Sequence, residues 1–529
     1  MLNRAPKTPG LTPTRQGIGS LKINVTETQF SVSRATSKNK RQSSFLFACL
    51  GIYFGLHVLS RSVVSTGLQL DEAEQLLLSQ DWRWGYGSQG PLYTWIQKIL
   101  FSAIGTNVFA LSLLKNTLLF GAYAFVYCAA REIFVRKEPA VFASASLLLV
   151  PNIVWESQRD QTHLILATAC AAITLFIFIR LLKTGKPGCY AAFGALVGLG
   201  ALSKYNFLFF PVSLILAALS VPKLRRAVLS RKLALSLVAV AVVVAPHVNW
   251  LLHNKGLALS QSYKFKMAAA DGGVKNYIRG AMRFAKSAGA FLAVPILVYA
   301  PLLHRALKTR RAVHIAGEDQ LYLGFLLRVL VCGLLLSLAA VLLFRVTEIK
   351  DRWMQPLLFA APIVLVGWVR PQLEGGRGTW LLKLAGAAAL GVLIAINGTV
   401  LGANLLKRAH NLNIPYSALA AELRKAGFEK GTIFAPKMLL GGNLKIQFKE
   451  SRVVVSEVPY DLPLPGGAKL IVWNADLPDE KSKELTDFLV FVSRLCGLVP
   501  AEMKAQYLEV PSNNGPKQTE RLGFVLLER

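Results

Sequence analysis

Long apolar runs recur along this chain, separated by short polar and charged stretches. Phe45 to Leu59, Leu164 to Leu182, Leu233 to Leu252, Leu321 to Phe344 and Leu381 to Leu406 hold few charges each. Their lengths approach or exceed the ~20 residues that cross a hydrocarbon core ~30 Å thick. In lipid, a lone segment satisfies its backbone polar groups only as a helix, so these runs predict membrane helices. The first span covers about 45–63, and further spans fall at roughly 108–130, 139–155, 163–182, 189–203, 206–221, 232–252, 287–304, 321–344, 353–369 and 380–404. The expected fold class is an all-α polytopic membrane protein of about eleven to thirteen helices.

The pattern changes at both ends. Residues 1–43, rich in Ser, Thr, Lys and Arg, predict a disordered basic cytoplasmic tail, followed by a membrane domain over 44–405. From 406 to 529 the runs shorten. Ala418 to Gly427 and Lys481 to Leu495 read as helices, and Thr432 to Pro436 and Lys469 to Trp473 as strands, which predicts a small α/β domain.

Composition agrees, with 53% of the 529 residues hydrophobic, 17% charged and a mean hydropathy of +0.43. A net charge of +31 would suggest nucleic acid in a soluble protein. Here the basic residues gather in alternate gaps between spans: Arg131, Arg136 and Lys137; Arg180, Lys183 and Lys186; Lys223 to Lys232; Arg305 to Arg311; Arg370 and Arg377. Together with the basic tail they obey the positive-inside rule if the N-terminus is cytoplasmic. The charge is therefore topological, and no nucleic-acid partner is expected. The outward segments are then 64–107, 156–162, 203–206, 253–286, 345–352 and the C-terminal domain. The six Cys offer no disulfide or CxxC framework, and no P-loop or GxGxxG context marks a nucleotide site.

The outward segments hold the candidate chemistry. In the first, Leu70-Asp71-Glu72-Ala73-Glu74-Gln75 precedes Gly85-Tyr86-Gly87-Ser88-Gln89-Gly90-Pro91-Leu92-Tyr93. Asp71 with Glu74 three residues on has the form of a capping box for a helix over 72–78. A carboxylate at a membrane surface is equally suited to take a proton from an acceptor hydroxyl as general base. The second outward segment, Glu156 to His163, is densely polar, with Arg159 able to pair a carboxylate, and brings Asp160 to the same side as Asp71. Lys204 with Tyr205 and Asn206, and Lys350-Asp351-Arg352-Trp353, put cations beside spans, as snorkelling anchors or as ligands of a lipid-linked phosphate. The segment 253–286, with Tyr263, Lys264, Lys266, Lys275, Tyr277, Arg279, Arg283 and Lys286, runs against the positive-inside trend. It reads as a basic amphipathic helix on anionic headgroups or as a flap over a donor.

This arrangement resembles the polytopic glycosyltransferases of the GT-C class that use polyprenyl-phosphate sugars. Asp71-Glu72 with Gly85-Tyr86 and Pro91-Leu92-Tyr93 is similar to their first acidic loop, Glu156 to Asp160 to the second, and Lys350 to Pro356 to a later basic-aromatic entry. Within the class the chain is most similar to the ArnT-like branch, and there to the lipid A and core galacturonosyltransferases. It departs from the aminoarabinose transferases, which carry Glu-Lys-Pro-Pro where this chain has Ser88-Gln89-Gly90-Pro91. That argues against aminoarabinose and against a metal at that spot.

The resemblance implies an inverting displacement at the sugar C1. Asp71 would be general base or acceptor orienter and Asp160 the second acid, with Lys204, Lys350 and Arg352 around the donor phosphate; Glu72, Tyr86 and Lys264 complete the expected substrate-binding set. The implied partners are a polyprenyl-phosphate sugar donor and a lipid A or lipopolysaccharide core acceptor in the bacterial inner membrane, with the C-terminal domain periplasmic and the enzyme a monomer. A divalent metal is the one cofactor left open. The rivals are a protein O-mannosyltransferase-like enzyme of the same class and a flippase of lipid-linked sugars.

Overall fold

The computed structural model describes residues 25–258, 273–308, 317–373, 376–458, 462–475, 482–497, 504–515 and 519–527, with the side chains of the first helix described from Gln42 onward. In chain order the helices are α1 (Val25–Val64), α2 (Leu70–Leu78), α3 (Leu92–Ile104), α4 (Val108–Ile133), α5 (Glu138–Ala145), α6 (Ser157–Asp160), α7 (His163–Thr184), α8 (Pro187–Ser203), α9 (Phe209–Leu219), α10 (Pro222–Val228), α11 (Leu233–His253), α12 (Lys255–Ala258), α13 (Gly273–Lys308), α14 (Glu318–Leu343), α15 (Gln355–Leu358), α16 (Ala361–Leu373) and α17 (Thr379–Leu401). Among the described residues seven helices, counting α1 from Gln42, are long and apolar enough to cross a membrane. The number rises to nine if each of two bent pairs is one span, and the stretches Pro187–Ser203 and Tyr205–Leu219 are shorter apolar helices.

Apart from the run expected at 353–369, which bends by 62° between Leu358 and Ala361, the elements follow the expected pattern with three differences. The first helix is already formed at Val25, inside the stretch expected to be a disordered tail. The run expected to cross at 139–155 breaks: it bends by 70° between Leu149 and Asn152 and continues to Asp160. Pro151 stands at the bend, where a missing N–H and a bulky ring interrupt the helical ladder. The third difference is α13. It begins at Gly273, so Lys275, Tyr277, Arg279, Arg283 and Lys286 belong to the same helix as the following span rather than to a separate outward segment. Lys264, with the rest of 259–272, lies outside the described residues.

The membrane domain is organised around α7, which is 78% buried over its most apolar stretch, against 11% for α11 and 17% for α17 at the periphery. Phe178, Ile179 and Leu175 of α7 join Tyr123 of α4, Phe325 of α14 and Phe210 of α9 in one large core. After α17 comes α18 (Tyr416–Lys425), then the strands β1 (Thr432–Ala435), β2 (Arg452–Val455), β3 (Lys469–Asn474), β4 (Gln506–Pro511) and β5 (Thr519–Leu527), with α19 (Met438–Gln447) and α20 (Ser482–Cys496) between them. The sheet order is β2-β1-β3-β5-β4, parallel across β2, β1 and β3 and antiparallel at β5 and β4. The small α/β domain is therefore present, with one helix and three strands more than the sequence pattern gave reason to expect.

Its position matters more than its topology. One face of α2 packs on α19 so closely that a Cβ on Gly442 would lie 2.5 Å from the Cα of Ala73. Asn443 accepts from the Leu68 N–H at 2.8 Å, Gln80 exchanges two hydrogen bonds with the backbone of Val453, and Arg452 pairs with Asp81 at 2.8 Å. Leu77 of α2 is part of the core of the C-terminal domain itself. The segment 64–107 is thus held between the membrane helices and the sheet.

Candidate active site

The stretch Leu70 to Leu78 forms a helix because Ala73, Leu76 and Leu77 fall on one stripe and Asp71 and Glu72 sit in its first turn, where the helix dipole favours negative charge. The cap differs from the one expected at Asp71. Gln69 is the N-cap, and Glu72 supplies the back-bond, its carboxylate accepting from the Gln69 N–H at 3.0 Å. Asp71 thereby moves into the first helical turn and is not needed for capping.

Asp71 and Asp160 come together. The backbone N–H of Asp71 donates to the Asp160 carboxylate at 2.9 Å, so the two acids predicted in separate segments share one environment. Asp160 ends the bent element at the level of α2, outside the long spans. Burial and then the neighbouring Asp71 charge raise its pKa from the ordinary carboxylate range to about 7, while Lys115 pulls the other way. A carboxylate poised there can exchange a proton near neutral pH.

Glu72 is in the opposite state. It is 1% exposed and is held by Arg61 at 2.6 Å and Lys115 at 3.4 Å. Burial raises its pKa, but the two cations and the Gln69 N–H outweigh this and bring it down to about 2. Its oxygens are taken up by protein donors, so the structure gives the expected substrate-binding residue a framework role. The Tyr86 hydroxyl is also bonded within the protein, donating to the Asp81 carbonyl at 2.7 Å and accepting from the Arg83 N–H. These bonds shape the loop 81–89, and Tyr86 also lines a cavity with Glu74, Asp81 and Arg452.

Lys204 caps the C-terminal end of α8 and lies within electrostatic reach of His163, whose Nε2 accepts from Gln75 of α2 at 2.9 Å. The first segment is fitted to this corner: a Cβ on Gly90 would lie 2.1 Å from the Leu202 carbonyl oxygen, so only glycine allows the approach. His247 ties the two together, its Nδ1 donating to the Trp84 carbonyl and its Nε2 accepting from Tyr205. Two residues beyond Lys204, Asn206 donates to the Trp353 carbonyl at 3.2 Å, which brings in the turn carrying Arg352. Lys350 is the exposed N-cap of that turn. Arg159 pairs with Glu156 at 3.1 Å on the surface.

The sequence reading missed several residues. Arg61 and Lys115 hold Glu72, and Gln75, Thr94 and His163 form a buried chain beside Asp71. Arg61 and Lys115 had a readable signal, being charges inside apolar spans. Buried polar atoms of Tyr93, Gln97, Thr162 and Gln355 have no hydrogen-bond partner among the described residues. No group of three His, Cys, Asp or Glu side chains suited to a metal gathers among the described residues.

The fold matches solved structures. The chain superposes on the crystal structure of ArnT from Cupriavidus metallidurans in the apo state with a TM-score of 0.58 at 14% identity, over 91% of this chain and 98% of that one. The undecaprenyl phosphate-bound ArnT structure gives a TM-score of 0.57 at 13% identity. A family profile described as dolichyl-phosphate-mannose-protein mannosyltransferase matches residues 88–250. Fold and comparisons together define a multi-span membrane glycosyltransferase of the GT-C, ArnT-like class. Among its relatives is the lipopolysaccharide core galacturonosyltransferase RgtB of Rhizobium johnstonii, 32% identical over 80% of this chain and 85% of that protein. RgtA of the same organism is 30% identical over 83% and 90%. The chain belongs to the family of these lipopolysaccharide core galacturonosyltransferases.

Proposed function

We propose that the protein transfers a uronic acid or related hexose unit, galacturonic acid first among them, from a polyprenyl phosphate to lipid A or the lipopolysaccharide core at the periplasmic face of the inner membrane. The observation that carries this reading is the juxtaposition of Asp71 and Asp160, with the Asp160 carboxylate 2.9 Å from the Asp71 amide. An acceptor hydroxyl attacks the sugar C1, the bond from C1 to the phosphate oxygen breaks with inversion, and the hydroxyl proton passes to the carboxylate pair, with Asp71 as base or acceptor orienter. The polyprenyl phosphate leaves carrying the electron pair. Lys204, Arg352 and Lys350, on turns joined through Asn206 and Trp353, are the groups to stabilise the growing charge on its oxygens. The unpartnered polar atoms of Tyr93, Gln97, Thr162 and Gln355 suit a polyhydroxylated ligand.

The test is transfer in vitro by the purified protein, with a synthetic polyprenyl-phosphate galacturonate donor and a lipid A or core acceptor, with and without a chelator. Glycosylated lipid is expected with the parent protein and none with Asp71→Asn. Failure with every lipid acceptor but transfer of a hexose to a peptide would instead favour a protein O-mannosyltransferase-like activity, to which the match over residues 88–250 also points.

A further inference from the structure

A cavity lies among α1, α4 and α17, beside Arg61 and Lys115, the partners of Glu72. About 400 Å³ of empty space, its open mouth included, is lined by residues among which His57, Ser60, Arg61, Ser112, Lys115 and Asn397 are polar or charged. The reaction described above uses none of these groups. The wall contributed by α17 belongs to a peripheral span.

Arg61 and Lys115 share Glu72, and the Lys115 charge also reaches the Asp160 carboxylate. Arg61 is committed, donating to Glu72 and to the carbonyls of Ser65 and Gly67 at 2.9 and 2.6 Å. Lys115 is held loosely, with 3.4 Å contacts to Glu72 and to the Gln158 carbonyl, and keeps a donor to spare. His57 is 4% exposed and its Nε2 has no partner. The Ser112 hydroxyl accepts from Asn116 at 3.2 Å, which leaves its own proton to donate. An ammonium with a donor to spare, an unpartnered imidazole nitrogen and a hydroxyl proton thus line one cavity. The ligand they fit is an anion with several acceptor oxygens, and at the ends of membrane spans that is a lipid phosphate.

We propose that this cavity binds the phosphate of an anionic membrane lipid, at a site distinct from the Asp71 and Asp160 centre. The phosphate belongs either to a bulk phospholipid or to the phosphorylated acceptor. The second source rests on the proposed transfer reaction and the first does not.

Lys115 is left intact in the test, because removing it would strand Glu72. The full-length protein is delipidated in detergent and titrated by native mass spectrometry with phosphatidylglycerol, with diacylglycerol as the phosphate-free control and with acceptor lipid carrying or lacking its phosphates, all without sugar donor. Selective binding of a phosphate-bearing lipid is expected. His57→Leu with Ser112→Ala should weaken it about tenfold or more, and His57→Gln, which keeps a donor, should restore part of the loss. Unchanged melting of the lipid-free double variant separates this from misfolding. Preference for phosphatidylglycerol marks a resident phospholipid. Preference for phosphorylated acceptor, with a raised acceptor KM and unchanged kcat in the double variant, marks an acceptor clamp. Equal binding of diacylglycerol and phosphatidylglycerol, or equal binding by the parent and double variant, overturns the proposal. If transfer fails but phosphate-selective binding remains, the function is wrong and the site stands.

Discussion

Glu72 and Asp160 both lie against the first turn of α2, yet they carry opposite electrostatics. Glu72 meets two cations from α1 and α4 and is drawn down to about 2; Asp160 meets a second carboxylate in a buried setting and is raised to about 7. The same residue chemistry gives a carboxylate held ionised on one side and one poised to exchange a proton near neutral pH on the other. What differs is the company supplied by distant segments.

The sharpest way to break this contrast is to neutralise each side in turn. Asp71→Asn should reduce transfer by about 10²- to 10⁴-fold, the range of general-base removal, with little change in melting temperature. Activity within tenfold of the parent would end the catalytic assignment. Glu72→Gln should behave conversely, costing about 3–5 kcal/mol of stability because two cations lose their shared partner, while the folded fraction keeps most of its turnover. Thermal melts read alongside specific activity check it.

Changing pH sharpens the comparison further. Activity that needs ionised Asp160 should climb about tenfold per pH unit below about 7 and level off above it, and Asp160→Asn should flatten that limb. The Glu72 contribution to stability has the opposite placement. Its pKa is lowered on folding, so its stabilisation is complete above the ordinary value of 4.5 and is lost as pH falls toward about 2. The smallest effect is expected at the rim, where Arg452→Ala removes a partly exposed pair with Asp81 and should cost about 0.5–1 kcal/mol, seen as a small drop in melting temperature.

Much of the membrane domain was legible because an apolar run of bilayer length has few alternatives. Where the reading failed, the cause was local chemistry that a hydropathy pattern cannot carry. Pro151 turned one expected span into a bent element, and the cap of α2 moved from Asp71 to Gln69 because Glu72 could reach back one turn. Asp71 and Asp160 were identifiable as acidic residues on one face, but their meeting depends on a backbone amide 89 residues away in sequence. Tyr86 and Glu72 stood in the right motif and turned out to support the loop and the helix. Arg61 and Lys115 were readable as charges inside apolar spans, but their pairing with Glu72 depends on how α1, α2 and α4 pack.

The seating of α2 on α19 reaches across 375 residues, from Leu68 to Asn443. During synthesis the membrane helices emerge long before the sheet that completes this seat, and a contact so distant along the chain forms late. A ribosome-bound or C-terminally truncated chain therefore has its acids without their clamp. The residues that follow α17 thus complete the seat of the helix that carries Asp71.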